Sequence, residues 1–168
     1  MLQLTDELNM ELMAKIGTAT REAVEASGAT YTPHPGEQVV QKMLEAGRPG
    51  KLRGAGFYEY ADGKRGSIWT GLADLFPVAE QQIPLADIKD RMLFAEALET
   101  AKCFEEGVVT SAAHANIGSI FGIGFPPFTG GAAQFITGYE AADGSLGIEA
   151  FLERADELAA TYGERFQP

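Results

Sequence analysis

The residues of this 168-residue chain best suited to chemistry are two histidines, one cysteine and a few carboxylates. His34 stands in a proline-rich loop, and His114 lies between alanines near the start of a predicted helix. Neither has a cysteine or a second histidine at metal-ligand spacing, so structural roles and no metal site are expected. Cys103 falls inside an apolar helix beside Phe104, where a thiol serves as core filler. Glu96 lies in the same helix and Glu99 one turn on. A partly buried carboxylate can act as a general base, but it more often pairs with an arginine such as Arg91. The run Gly118-Ser119-Ile120-Phe121-Gly122 misses the Gly-x-Ser-x-Gly setting of a serine nucleophile by one position. Gly122-Ile123-Gly124 opens like a dinucleotide fingerprint, yet position 127 is proline and prolines rather than a helix follow. Gly54-Ala55-Gly56 fails because position 59 is glutamate, and the chain carries no phosphate-cradling P-loop. These residues alone describe a helical protein without an obvious active site.

Composition narrows the classes further. Thirteen Lys and Arg against 24 Asp and Glu give a net charge of −11, which argues against a nucleic-acid partner or an anionic membrane surface. Six of the thirteen basic residues nevertheless fall between Lys42 and Arg65, against three acids there. That basic loop could meet a phosphate-bearing ligand, although a solvated loop is the more ordinary reading. A single cysteine permits no intrachain disulfide, and the N-terminus has neither a basic region nor an apolar run. The longest nearly apolar run, Ile117 to Phe128, is too short for a membrane span and holds two prolines. A cytoplasmic protein with no membrane span is expected.

The elements that must position these residues are mostly helices. The central one runs from Pro84 to Glu106, about 33 Å at 1.5 Å per residue, with Gly107 as its terminator. Its apolar residues (Leu85, Ile88, Met92, Leu93, Phe94, Leu98, Cys103, Phe104) wrap most of the way round, so it should be a core helix around which the rest of the chain packs. Upstream, Leu4 to Ala26 reads as one amphipathic helix and Gly36 to Ala46 as a shorter one. Glycines at 47, 50, 54 and 56 with Pro49 mark an irregular loop, and Asp62-Gly63 marks a hairpin between Phe57 and Trp69. Thr70 could cap a short helix through Phe76. Downstream, Thr110 or Ser111 caps a helix from Ala112 to about Phe121, and further helices span Gly131 to Tyr139 and Ile148 to Tyr162. The segment from Gln134 to Pro168 loosely echoes Leu2 to Pro33, which hints at duplication.

Two runs carry a family resemblance. One is Gly47-Arg48-Pro49-Gly50-Lys51 with Arg53-Gly54-Ala55-Gly56-Phe57-Tyr58-Glu59-Tyr60. The other joins Asp90-Arg91, Glu96-Ala97 and Glu105-Glu106-Gly107-Val108 to Gly122-Ile123-Gly124-Phe125-Pro126-Pro127-Phe128-Thr129-Gly130-Gly131. With the ending Tyr162-Gly163 and Phe166-Gln167-Pro168, the chain resembles the C-terminal domains of the 3-hydroxyacyl-CoA dehydrogenases, as in multifunctional fatty-acid-oxidation α subunits. The resemblance implies an all-α fold, a duplicated 3-hydroxyacyl-CoA dehydrogenase C-terminal domain (6-phosphogluconate dehydrogenase C-terminal-like) with one small hairpin. It implies the second half of a first repeat over 1–69, a linker over 70–83 and a second repeat over 84–168, so that the chain would begin within a repeat and self-associate. NAD, the Rossmann domain and the enoyl-CoA hydratase domain would lie outside this chain, and a thiolase subunit is a further implied partner. The family's catalytic His–Glu pair, a Ser and an Asn have no counterpart here. Where the first repeat of the family carries Asn-Arg, this chain has Asp90-Arg91, so no catalytic role passes to Asp90 and no catalytic residue transfers. The alternative expectation is a non-catalytic helical docking module.

Overall fold

The structure is a computed structural model that describes residues 2–168. It is an all-α fold with a small antiparallel hairpin, divided into two compact units, Met1–Glu80 and Gln81–Pro168.

The first unit opens on α1 (Leu2–Leu8) and α2 (Met10–Ala26). The single helix expected over Leu4 to Ala26 is thus broken at Asn9, which adopts φ 71°, a left-handed conformation that Asn tolerates better than most residues. The break is stabilised from both sides. The Asn9 side chain accepts from the Glu11 N–H at 2.9 Å and caps α2. The Met10 N–H, released from the helical ladder, donates to the Pro49 carbonyl at 2.8 Å. Met10 then drops into the core beside Met43 and Phe57, all three buried. Helix α3 (Pro35–Glu45) begins one residue earlier than expected because Pro35 suits a first turn that needs no N–H. A looped segment with a 3-10 turn (Lys51–Arg53) leads into β1 (Tyr58–Ala61) and β2 (Lys64–Ile68). Asp62 and Gly63 both take positive φ at the hairpin tip, as a tight two-residue turn demands. Helix α4 (Leu72–Leu75) follows Gly71, so Thr70 is not its cap.

The second unit is built on α5 (Leu85–Glu105), with Gly107 at φ 70° as expected of a terminator. Helices α6 (Ala112–Gly118), α7 (Ala132–Thr137) and α8 (Gly147–Tyr162) complete it, followed by a 3-10 turn (Glu164–Phe166). Ser111 is the α6 cap, accepting from the His114 N–H at 3.2 Å. Phe94 of α5 stacks flat on Phe151 of α8 with ring centroids 4.3 Å apart and meets Phe135 and Tyr139 edge-on. The expectation that the whole chain packs around α5 is corrected, because the first unit has its own core. Only Phe94, Ala97 and Leu98 of α5 are fully buried, while Leu85, Ile88, Met92 and Phe104 remain exposed. Helix α6 also stops short of Phe121: Ser119–Ile123 widens into a π turn, ended by Gly124 at φ 77°. The Phe125 N–H reaches back to the Ser119 carbonyl at 3.0 Å, which closes the turn and buries the Phe125 ring.

Candidate functional site

In the first unit the glycine-rich loop wraps Asp6. This carboxylate is fully buried and accepts from the Phe57 N–H at 2.8 Å, the Tyr58 N–H at 3.0 Å and the Tyr60 hydroxyl at 3.0 Å. A Cβ on Gly56 would fall 2.2 Å from its Oδ1, and one on Gly50 would fall 2.5 Å from its carbonyl oxygen. Those two glycines are therefore dictated by close approach. Burial, then the bond to Asp6, pushes the Tyr60 hydroxyl up to about 12, so it remains a donor at any physiological pH.

The basic residues of this loop mostly turn to their own chain. Arg48 is buried, donates from Nε to the Gly56 carbonyl at 2.7 Å, pairs with Glu59 at 3.0 Å and lies 4.5 Å over the Trp69 ring. Lys51 meets Glu7 at 3.5 Å, Arg53 meets Glu11 at 4.0 Å, and Arg65 donates to the Gln3 side chain. Lys42 sits over the Phe76 ring. The Lys51 and Arg53 pairs are open to solvent and easily exchanged for another anion. The Lys51–Glu7 pair borders a cavity of about 510 Å3 lined also by Leu52, Tyr60 and Asp62. A larger groove of about 920 Å3 lies between α2 and α3, with Met13, Thr18, Arg21, His34, Glu37 and Val40 in its walls.

The second unit presents the Gly-Phe-Pro-Pro turn. Ser119 is buried; its hydroxyl donates to the Asn116 carbonyl and accepts from the Ala132 N–H, both at 3.0 Å. Both roles of that hydroxyl are spent on holding α6 to α7. Asn116 adds a bond from the Gln134 N–H at 2.9 Å, and Gly131 packs so tightly on it that a Cβ would fall 2.4 Å from its Cα. This pinned turn displays Phe121 and Phe128 at 86% and 88% exposure.

The carboxylates of α5 divide by partner. Asp90 receives Arg154 Nε at 2.9 Å, and Asp87 receives Arg154 Nη2 at 2.7 Å and the Tyr162 hydroxyl at 2.6 Å. Arg91, expected as a partner for Glu96, lies 4.5 Å over the Tyr162 ring instead. The Asp90-Arg91 pair thus ties α5 to α8. Glu99 pairs with Lys102 at 2.8 Å, and burial raises the Glu96 carboxyl. The Tyr162 hydroxyl and Arg154 hold Asp87 below the ordinary carboxylate range. A carboxyl more acidic in the folded than in the unfolded chain stabilises above its unfolded value, about 3.9, and loses that contribution as pH falls further. Asp87→Asn should accordingly lower Tm at pH 7, with the gap to wild type closing below about pH 4; melting curves at pH 3 and 7 check this.

His34 caps α3, while His114 and Cys103 sit on α6 and α5 of the other unit. Among the described residues, no group of three or more His, Cys, Asp or Glu could hold a metal ion, and no helix is long and apolar enough to cross a membrane. Sequence reasoning missed Asp6, Asn116 and Arg154. A signal for Asp6 existed: an acid between Leu4 and Leu8 in an apolar stripe, together with the dense glycines at 50–56.

Two compact helical units with one small antiparallel hairpin place the chain in the all-α class. No family model matches the chain. Curated relatives do. The "Fatty acid oxidation complex subunit alpha" of Pseudomonas paraeruginosa is 38% identical over 138 residues, 76% of this chain and 18% of that protein. The subunit of the same name from Vibrio vulnificus is 31% identical over 168 residues, 99% of this chain and 22% of that protein. The chain belongs to the family of these α subunits and is homologous to a C-terminal stretch of them. It spans about a fifth of the length of the curated relatives it matches.

Proposed function

We propose that this chain is the C-terminal helical part of an NAD-dependent 3-hydroxyacyl-CoA dehydrogenase of fatty acid β-oxidation. It contributes acyl-CoA cleft walls and contacts between domains and subunits, and supplies no catalytic group. The observation that carries this reading is homology to the α subunit along nearly the whole chain, in a protein whose Ser119 and Asp90 are both engaged in structural bonds. On this reading the fold is the duplicated helical domain of that enzyme family, 6-phosphogluconate dehydrogenase C-terminal-like. Residues 1–69 form half of a first repeat, 70–83 a linker and 84–168 the second repeat. NAD, the Rossmann and hydratase domains and a thiolase subunit belong to the larger cytoplasmic assembly. The Lys51 side of the 510 Å3 cavity suits a CoA phosphate.

The test is complementation. An α subunit truncated before the region this chain matches should regain 3-hydroxyacyl-CoA oxidation when the chain is added. The competing reading, a docking module, is favoured by the bare Phe121 and Phe128 rings, and would give a stable complex without turnover.

Self-association is part of this reading. Leu4 and Leu8 of α1 and Leu12 and Ile16 of α2 are each about half exposed, which leaves apolar surface on both helices for a partner. Sedimentation at micromolar concentration should report a dimer or larger, and Leu12→Glu should return it to a monomer. A monomer in the unmodified chain would count against these residues as an interface.

A further inference from the structure

We propose that the Gly-Phe-Pro-Pro turn of the second unit is a docking anchor, whose Phe121 and Phe128 rings seat on an uncharged, apolar helix from the preceding part of an α subunit of this family. The inference rests on the domain contacts proposed above. The turn sends Phe125 into the core and leaves Phe121 and Phe128 at 86% and 88% exposure, with Ile117 and Ile123 at 59%. None of these four belongs to the core cluster of the unit. At roughly 200 Å2 for a large apolar side chain, they offer about 500 Å2 of apolar surface. That matches the apolar share, about 60%, of the roughly 800 Å2 that one partner gives to a standard interface.

The occupant's chemistry follows from charge. Although 22% of the chain is charged, no Asp, Glu, Lys or Arg occurs from Gly107 to Tyr139. A surface helix ordinarily turns charged residues to solvent, whereas the exposed positions of α6 are Ala112, Ala113, His114, Ile117 and Gly118. A charge pressed against this face would be desolvated without a partner, so the complementary surface is uncharged as well. That the occupant is a helix follows from Gly118 and Gly122. They stand one turn apart, directly after Ile117 and Phe121, and neither takes a positive φ. A Cβ on either would meet nothing within 4 Å. Glycine weakens a helix relative to other residues, so neither conformation nor packing within the unit calls for it. A helix approaching from outside does, because small residues four apart let two backbones pack closely. A bilayer surface gives no such reason. Ser119, Asn116 and Gly131 already fix the turn, so docking orders little additional chain.

Calorimetric titration of the full chain into the Vibrio vulnificus α subunit, truncated before the region this chain matches, tests the inference. Phe121→Ser and Phe128→Ser should each weaken binding about 30-fold, the size of an interface hot spot, with Tm unchanged because both rings are bare. Gly118→Leu should keep or raise Tm, since leucine favours a helix, and still weaken binding about tenfold. Binding by all three variants within about twofold of the unmodified chain would overturn this inference alone. No binding by the unmodified chain would overturn the domain-contact reading and this inference with it. Sedimentation and flotation with phosphatidylcholine vesicles complete the test. If Phe121→Ser abolished self-association or vesicle binding and left the complex intact, a second copy or lipid would own the face, and the proposal would fall.

Discussion

Asp6→Ala should destabilise the first unit by about 3 kcal/mol or more, the largest effect expected of any single substitution in that unit. The mechanism is the stranding of donors. Two backbone N–H groups, of Phe57 and Tyr58, and the Tyr60 hydroxyl lose the carboxylate that accepts from them. Each buried donor left without a partner costs about 1–3 kcal/mol. The loss also unties the loop from α1, because Gly50 and Gly56 are packed against Asp6 itself. Gly56→Ala should approach the same damage from the other side, since its Cβ would overlap the carboxylate. Asp6→Asn, which retains one oxygen acceptor but replaces the other with a donor, should fall between Asp6→Ala and wild type. The readout is specific: Trp69 is the chain's one tryptophan and lies under Arg48 beside this knot, so urea unfolding followed by its fluorescence reports on the first unit. A shift in midpoint no larger than that of a surface substitution would show that the knot does not hold the unit together.

The sequence told much about the elements and less about their joints. The long helix from Pro84, its glycine stop, the hairpin at Asp62-Gly63 and the Ser111 cap were legible because each rests on a local rule, one residue type at one offset. The break at Asn9 was not. A helical stripe of Leu4, Leu8, Leu12 and Ile16 runs straight across it, and the reason for the break lies 40 residues away, at the Pro49 carbonyl. The same limit explains α5. Its apolar residues on several faces imply burial, but periodicity cannot say whether one chain supplies every partner, and Leu85, Ile88 and Met92 stay exposed. Polar pairings were the hardest to foresee. Arg91 next to Asp90 suggested local ion pairs, whereas Asp90 reaches Arg154, 64 residues on, and Arg91 stacks on Tyr162. His34 was legible as structural, but its role as a cap depends on ring geometry that spacing does not fix.

The second large effect concerns activity. Hydride transfer needs the nicotinamide held against the substrate carbon and a base within about 3 Å of the hydroxyl proton. Loss of such a base alone typically costs about 10²–10⁴-fold. On the proposed reading this chain lacks both the base and the cofactor fold, so the loss is complete rather than partial. Helical walls contribute positioning, and positioning accelerates nothing without the groups to be positioned. The most direct measurement is the oxidation of NADH by acetoacetyl-CoA, followed at 340 nm, with the chain alone and with the truncated α subunit added. The account predicts no decay and no heat of NADH binding from the chain alone, and turnover only in the mixture. Turnover by the chain alone would contradict it.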